Sequence, residues 1–65
     1  MPSSVIRTYR YDPHQRQLEL QFVSGRRYLY HEVPEEIWRE MRQAFSKGEY
    51  FNERIRDQYR FTREG

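Results

Sequence analysis

Two histidines, ten carboxylates, twelve basic groups and no cysteine are the reactive groups of this 65-residue chain, and their spacing assembles no catalytic constellation. His14 and His31 lie far apart in sequence, and His31-Glu32 lacks the second histidine one turn on that would make a zinc-binding helix. Glu35 and Glu36 stand side by side at an expected helix start. There they complement the helix dipole, which accounts for them without general acid or base work. Ser46-Lys47-Gly48 is only vaguely similar to a phosphate loop, since the upstream glycine is missing, and it falls at an expected helix end, where carbonyls repel phosphate. Capping is the better reading of it. Without cysteine there is no thiolate nucleophile, no thiolate metal site and no disulfide. The expectation is therefore no enzyme, with no catalytic residue, metal, cofactor or small-molecule substrate.

Binding chemistry is better represented. Residues 1–31 carry five Arg against Asp12 and Glu19, a balance of +3, whereas residues 32–65 carry seven basic against eight acidic groups, a balance of −1. Eleven of the twelve basic residues are Arg, whose planar fork suits phosphates and stacked bases better than Lys does. Arg7, Tyr9, Arg10, Tyr11, Arg26 and Arg27 form the candidate nucleic-acid-binding set. Guanidinium groups would neutralise phosphates, and rings would stack on bases for about 1–3 kcal/mol each. Against this, arginines also keep the wet face of a small sheet soluble, and a net charge of +2 is modest for a nucleic-acid binder. A second cluster, Arg54, Arg56, Arg60 and Arg63, follows Glu53 and Asp57 at three-residue spacing. Solvated helix-surface ion pairs are expected there.

These residues need a scaffold. A chain this short forms one domain, residues 1–65, with one small core, because it buries only about 60% of its unfolded surface. An aromatic content of 17% separates it from disordered chains. Residues 4–11, SVIRTYRY, are β-branched and aromatic and end at the turn signal Asp12-Pro13. Leu18 to Phe22 alternate apolar and polar, the mark of a half-buried strand. Residues 26–32 supply a third strand. Pro34 then opens a helix in which Ile37, Trp38, Met41, Ala44 and Phe45 share one face, so that Trp38 and Phe45 should meet the sheet. Gly48 is expected to cap it, with Lys47 at its negative end. Phe51, Ile55 and Tyr59 at four-residue spacing predict a second, short helix, and residues 60–65 are expected to fray. The predicted class is α+β, a three-stranded antiparallel meander followed by one packed helix and a shorter one, ordered over about residues 4–58.

The placement of Tyr28 and Tyr30 turns on the hairpin register. If Ser24-Gly25 is a two-residue turn, Gln21 faces Tyr28 and Glu19 faces Tyr30, and the rings form a platform on the wet face. With three residues in the loop, Phe22 faces Tyr28 and Leu20 faces Tyr30, and the rings join the core, because one step of register flips every side chain. The scarcity of apolar residues favours the second, since the first brings Arg27 and His31 onto the core face.

Tyr28-x-Tyr30-x-x-Val33-Pro34, Ala44-x-Ser46-Lys47-Gly48-x-Tyr50-Phe51-Asn52 and Ile55-Arg56 together resemble the KTSC domain, named for the C-terminus of some lysyl-tRNA synthetases. Ser4, Ile6, Tyr11, Leu18, Phe22 and Gly25 also fit its pattern. The resemblance implies a module of uncharacterised function, for which attachment to a tRNA-charging enzyme suggests RNA or tRNA binding, and it assigns no site residues. The alternative is a protein-interaction module that pairs with a second copy or with a host enzyme. No apolar run has the length of a signal peptide or a membrane span, so the expected setting is cytoplasmic.

Overall fold

The computed structural model describes residues 6–64. Its elements run β1 (Ile6–Asp12), β2 (Gln17–Phe22), β3 (Arg27–Tyr30), α1 (Glu35–Gln43), α2 (Lys47–Arg54) and β4 (Phe61–Arg63). The class is α+β as predicted, but the antiparallel sheet has four strands in the order β1-β2-β3-β4. Residues 61–63 of the expected frayed tail form the added strand on β3. Phe-Thr-Arg is a β-prone triplet, and it pairs because β3 offers an open edge at the right distance from α2. Of the predicted first strand, Ser4 and Val5 lie outside the described residues.

The β2–β3 hairpin settles the tyrosine question in favour of the core side. Leu18 pairs with Tyr30 and Leu20 with Tyr28, a register two residues away from the one drawn from sequence, so side-chain direction is preserved while the partners change. The three-residue loop is Val23-Ser24-Gly25, closed by Phe22 N to Arg26 O at 2.9 Å and Gly25 N to Phe22 O at 2.9 Å. Gly25 has φ of 96°, the left-handed conformation that such a loop needs at its last position.

Tyr9 and Tyr11 pair with Leu20 and Leu18, so they share the helix side with Tyr28, Tyr30 and Phe22. Thr8, Arg10, Glu19, Gln21, Arg27 and Leu29 alternate to the open side. The core consists of Leu18, Leu20, Tyr30, Val33, Met41, Phe51 and Ile55.

The helices end differently from their sequence reading. Pro34 is the N-cap and α1 begins one residue later, with Glu35 and Glu36 in its first turn. It stops at Gln43, and Ala44 continues as extended chain. Phe45 is consequently outside the helix and fully exposed, not against the sheet. Gly48 does not cap α1. It is buried in the first turn of α2, where Ser46 is the N-cap and accepts from Glu49 N at 3.3 Å. Lys47 does serve the end of α1, its Nζ reaching Ala44 O at 3.4 Å. Tyr50 ties the two helices through its hydroxyl, which donates to Glu40 Oε1 at 2.6 Å.

Candidate ligand-binding groove

The six residues singled out from sequence do not form one surface. Tyr9 and Tyr11 are taken up by α1: their ring centroids lie 5.4 and 5.6 Å from the indole of Trp38, edge-on for Tyr9 and stacked for Tyr11. The Tyr11 hydroxyl donates to Val33 O at 2.6 Å, and burial pushes its phenol up from the usual value. Arg10 points away on the open face and pairs with Glu19 at 2.9 Å. Arg27 is exposed on that same face, opposite Gln21. Arg7 is the extra residue of a bulge between Ile6 and Thr8. Arg26 alone borders a concave aromatic surface. Tyr9 and Tyr11 do not lie beside Arg10, because strand alternation sends the rings and the guanidinium to opposite faces.

Aromatic side chains gather instead at the other end of the helix side. Phe22, Tyr28, Tyr30, Phe51 and Phe61 line an open groove of about 730 Å³, bordered by Val23, Ser24, Arg26, Asn52, Arg56 and Asp57. The hairpin positions Phe22 and Tyr28 edge-to-face at 5.5 Å. The short α2 brings Phe51 to 5.5 Å from Phe22 and 5.4 Å from Tyr30. Phe61 on β4 closes the cluster at 5.5 Å from Tyr28 and 5.3 Å from Tyr30. Edge-to-face pairs of this kind contribute about 0.5–1.5 kcal/mol beyond the area they bury. They make the walls firm without filling the space.

The polar atoms of the groove are uncommitted. Neither the Tyr28 nor the Tyr30 hydroxyl has a hydrogen-bond partner among the described residues. The same residues contain no buried, unpartnered polar side-chain atom, so the Tyr30 hydroxyl must reach solvent although its residue is only 3% exposed. Tyr30 is one of the residues that line the groove. Burial, and next the neighbouring Tyr28, push the Tyr30 phenol up to about 12, so it is a neutral donor and acceptor at physiological pH.

Arg56 and Arg26 have no ion-pair partner among the described residues, where the pairs are Arg10–Glu19 and Arg39–Glu35. The ion pairs expected for Glu53 with Arg56 and Asp57 with Arg60 do not form. Helix α2 ends at Arg54 and residues 55–58 turn away, so three-residue spacing no longer brings these side chains together. Arg54 lies over the Tyr50 ring at 5.7 Å. Arg63 stands opposite Tyr28 on the groove side of β4. Sequence reasoning missed Phe22, Phe51, Asn52 and Arg56 because their spacing signalled core or surface helix, and Phe61 because it fell in the expected frayed tail. The available signal was the return of an aromatic, β-branched triplet at the C-terminal end.

No group of three or more His, Asp or Glu that could hold a metal ion comes together among the described residues. No helix among them is long and apolar enough to cross a membrane. Fold and groove together define a small α+β domain with a concave aromatic face.

Known proteins agree with that class. A profile of the KTSC domain matches residues 2–59, and the chain belongs to the KTSC domain family. It is 41% identical over 58 residues to a lysine–tRNA ligase of Nostoc sp., a match that covers 89% of this chain and 10% of the ligase. The chain thus spans about a tenth of that relative's length. An uncharacterised protein of Stutzerimonas stutzeri is 41% identical over 64 residues, 97% of this chain and 90% of that protein. The crystal structure of a KTSC domain protein from Yersinia pestis superposes with a TM-score of 0.90 at 36% identity, covering all of this chain and 92% of the other.

Proposed function

We propose that this domain is a non-catalytic RNA-binding module of the cytoplasm, and that its contact surface is the groove between β3 and α2. The observation that carries the reading is the convergence of the rings of Phe22, Tyr28, Tyr30 and Phe51, two free tyrosine hydroxyls and the guanidinium groups of Arg26 and Arg56 on one open surface. Rings stack on unpaired bases without regard to sequence, and flanking arginines neutralise the backbone. Phe22, Tyr28, Tyr30, Phe51, Asn52 and Arg56 are also among the residues that carry the family resemblance. The occurrence of a related segment in a lysine–tRNA ligase makes tRNA a suitable source of unpaired bases. Association through the outer edge of β1 is the competing reading. The bulge at Arg7 disfavours it, because bulges and edge charges protect strands from pairing with another chain.

The test is a titration of fluorescein-labelled single-stranded RNA at several salt concentrations, followed by anisotropy. Replacing Arg26 and Arg56 by Gln should weaken binding and flatten the salt slope by about 0.7 per lost phosphate contact. Replacing Arg10 and Arg27 by Gln should leave the slope nearly unchanged, because they lie on the other face. Absence of saturable binding by the unaltered chain at low salt would sink the proposal.

A further inference from the structure

We infer that β4 is a displaceable strap and that its Phe61 ring occupies the position an unpaired base takes in the groove. This rests on the RNA-binding reading and adds how the site is regulated and what it accepts. The Phe61 ring lies 5.3 Å from Tyr30 at 35° and stands at 89° to Tyr28, 5.5 Å away. It is held in an angle between two tyrosines whose hydroxyls have no other partner among the described residues. A planar base in that angle would gain the same ring contacts and add hydrogen bonds to those hydroxyls, which a phenyl ring cannot make.

The strap is weakly fastened. All three residues of β4 are exposed, and Phe61 itself is 52% exposed. It is an edge strand of three residues, pairing with β3 alone. Its fastenings on the open side and at its ends are His31 N to Arg60 O at 2.9 Å, Glu64 N to Arg27 O at 2.8 Å and an exposed contact of 2.8 Å between His31 Nε2 and Thr62 Oγ1. Solvent-exposed edge hydrogen bonds with little buried apolar area belong to the segments that open first. No residue of β4 belongs to the core, so lifting it removes no core side chain, although it uncovers Tyr30, which Phe61 flanks at 5.3 Å. The region matched by the KTSC profile ends at residue 59, just before the strap begins.

A site whose ligand competes with an internal occupant binds more tightly when that occupant is removed, because the open state no longer has to be reached first. Two full-length variants separate the ring from the strand. Phe61→Ala removes the ring. Thr62→Pro keeps the ring but removes an amide from the middle of β4.

The experiment measures affinity for fluorescein-labelled single-stranded RNA by anisotropy, and amide hydrogen exchange without RNA, in the wild type and both variants, with Tyr28→Ala as the site control. Both variants should bind about three- to tenfold more tightly than wild type, Tyr28→Ala should bind much more weakly, and the wild-type His31 and Glu64 amides should exchange far faster than those pairing β1 with β2. If Phe61→Ala binds less tightly or equally, Phe61 is a fixed wall, and the strap is refuted while RNA binding stands. A His31 amide as slow as those of the β1–β2 pair refutes the strap without reference to RNA. Absence of saturable binding by wild type and by both variants removes both proposals together.

Discussion

Tyr9-Arg10-Tyr11 on β1 and Tyr28-Leu29-Tyr30 on β3 repeat one pattern in one sheet, and both send their rings to the helix side. They differ in what lies above them. Over the first pair α1 lays Trp38, with Arg42 on the indole at 5.7 Å, and the Tyr11 hydroxyl is tied to Val33 O. Over the second, α2 supplies Phe51 from one side and β4 supplies Phe61 from the other, and a groove remains. The same two-residue period thus becomes closed packing at one end and an open groove at the other. A helix of nine residues can cover only part of a four-stranded sheet, and the position of Trp38 decides which part.

Removing the covers should have the largest effects. Phe51→Ala takes away a side chain that is 5% exposed and touches both Phe22 and Tyr30, and it should cost about 3–5 kcal/mol. Trp38→Ala should cost about 3 kcal/mol, somewhat less than a fully buried indole. Urea unfolding midpoints report both, and an unchanged midpoint for Trp38→Ala would mean that the β1 end is not closed by packing.

Alkaline unfolding comes next in size. Burial first, then other neighbours, raise Tyr30 and Tyr50 to about 12 from the model-compound value of 10.0. The unfolded chain therefore releases these protons at lower pH than the folded one. The stability involved is complete below pH 10 and is lost as pH rises from 10 towards 12. For Tyr30 the loss should be on the order of 2 kcal/mol, and Tyr30→Phe should flatten the decline measured by urea titration across that range. An equally steep decline in the variant would show that other groups govern it.

Hydroxyl deletion sharpens the comparison at smaller scale. Tyr11→Phe strands the Val33 carbonyl and should cost about 1 kcal/mol, whereas Tyr28→Phe, which breaks no bond among the described residues, should change stability by less than about 0.5 kcal/mol. Equal effects would erase the distinction between committed and free tyrosines. Smallest of all, Phe45→Ser should leave the unfolding free energy from urea titration within about 0.5 kcal/mol of wild type, since that ring is fully exposed.

Phe45 also shows where sequence reasoning ran out. Strand alternation in Leu18 to Phe22, the signal at Pro34 and the stripe through Ile37, Trp38 and Met41 are local patterns with one structural solution, and they were legible. The stripe continues through Ala44 and Phe45 in sequence, but Ser46 finds a better use as the N-cap of α2, and the chain breaks helix to reach it. Gly48 looked like a stop for the same reason. The hairpin register was legible only as a choice of faces, because a three-residue loop can begin at Val23 or at Ser24. The groove was the least legible part. Phe22 and Phe61 are 39 positions apart in the sequence, and only the pairing of β4 with β3 brings their rings to one cavity.

The most direct test of the account maps amide chemical shifts of the isotope-labelled chain during titration with single-stranded RNA at low salt. The account predicts that shifts concentrate at residues 22–30, 51–57 and 61–63, with Tyr9, Arg10 and Tyr11 little changed. A map centred on Arg10, Glu19 and Leu29, or on the Trp38 end, would contradict it.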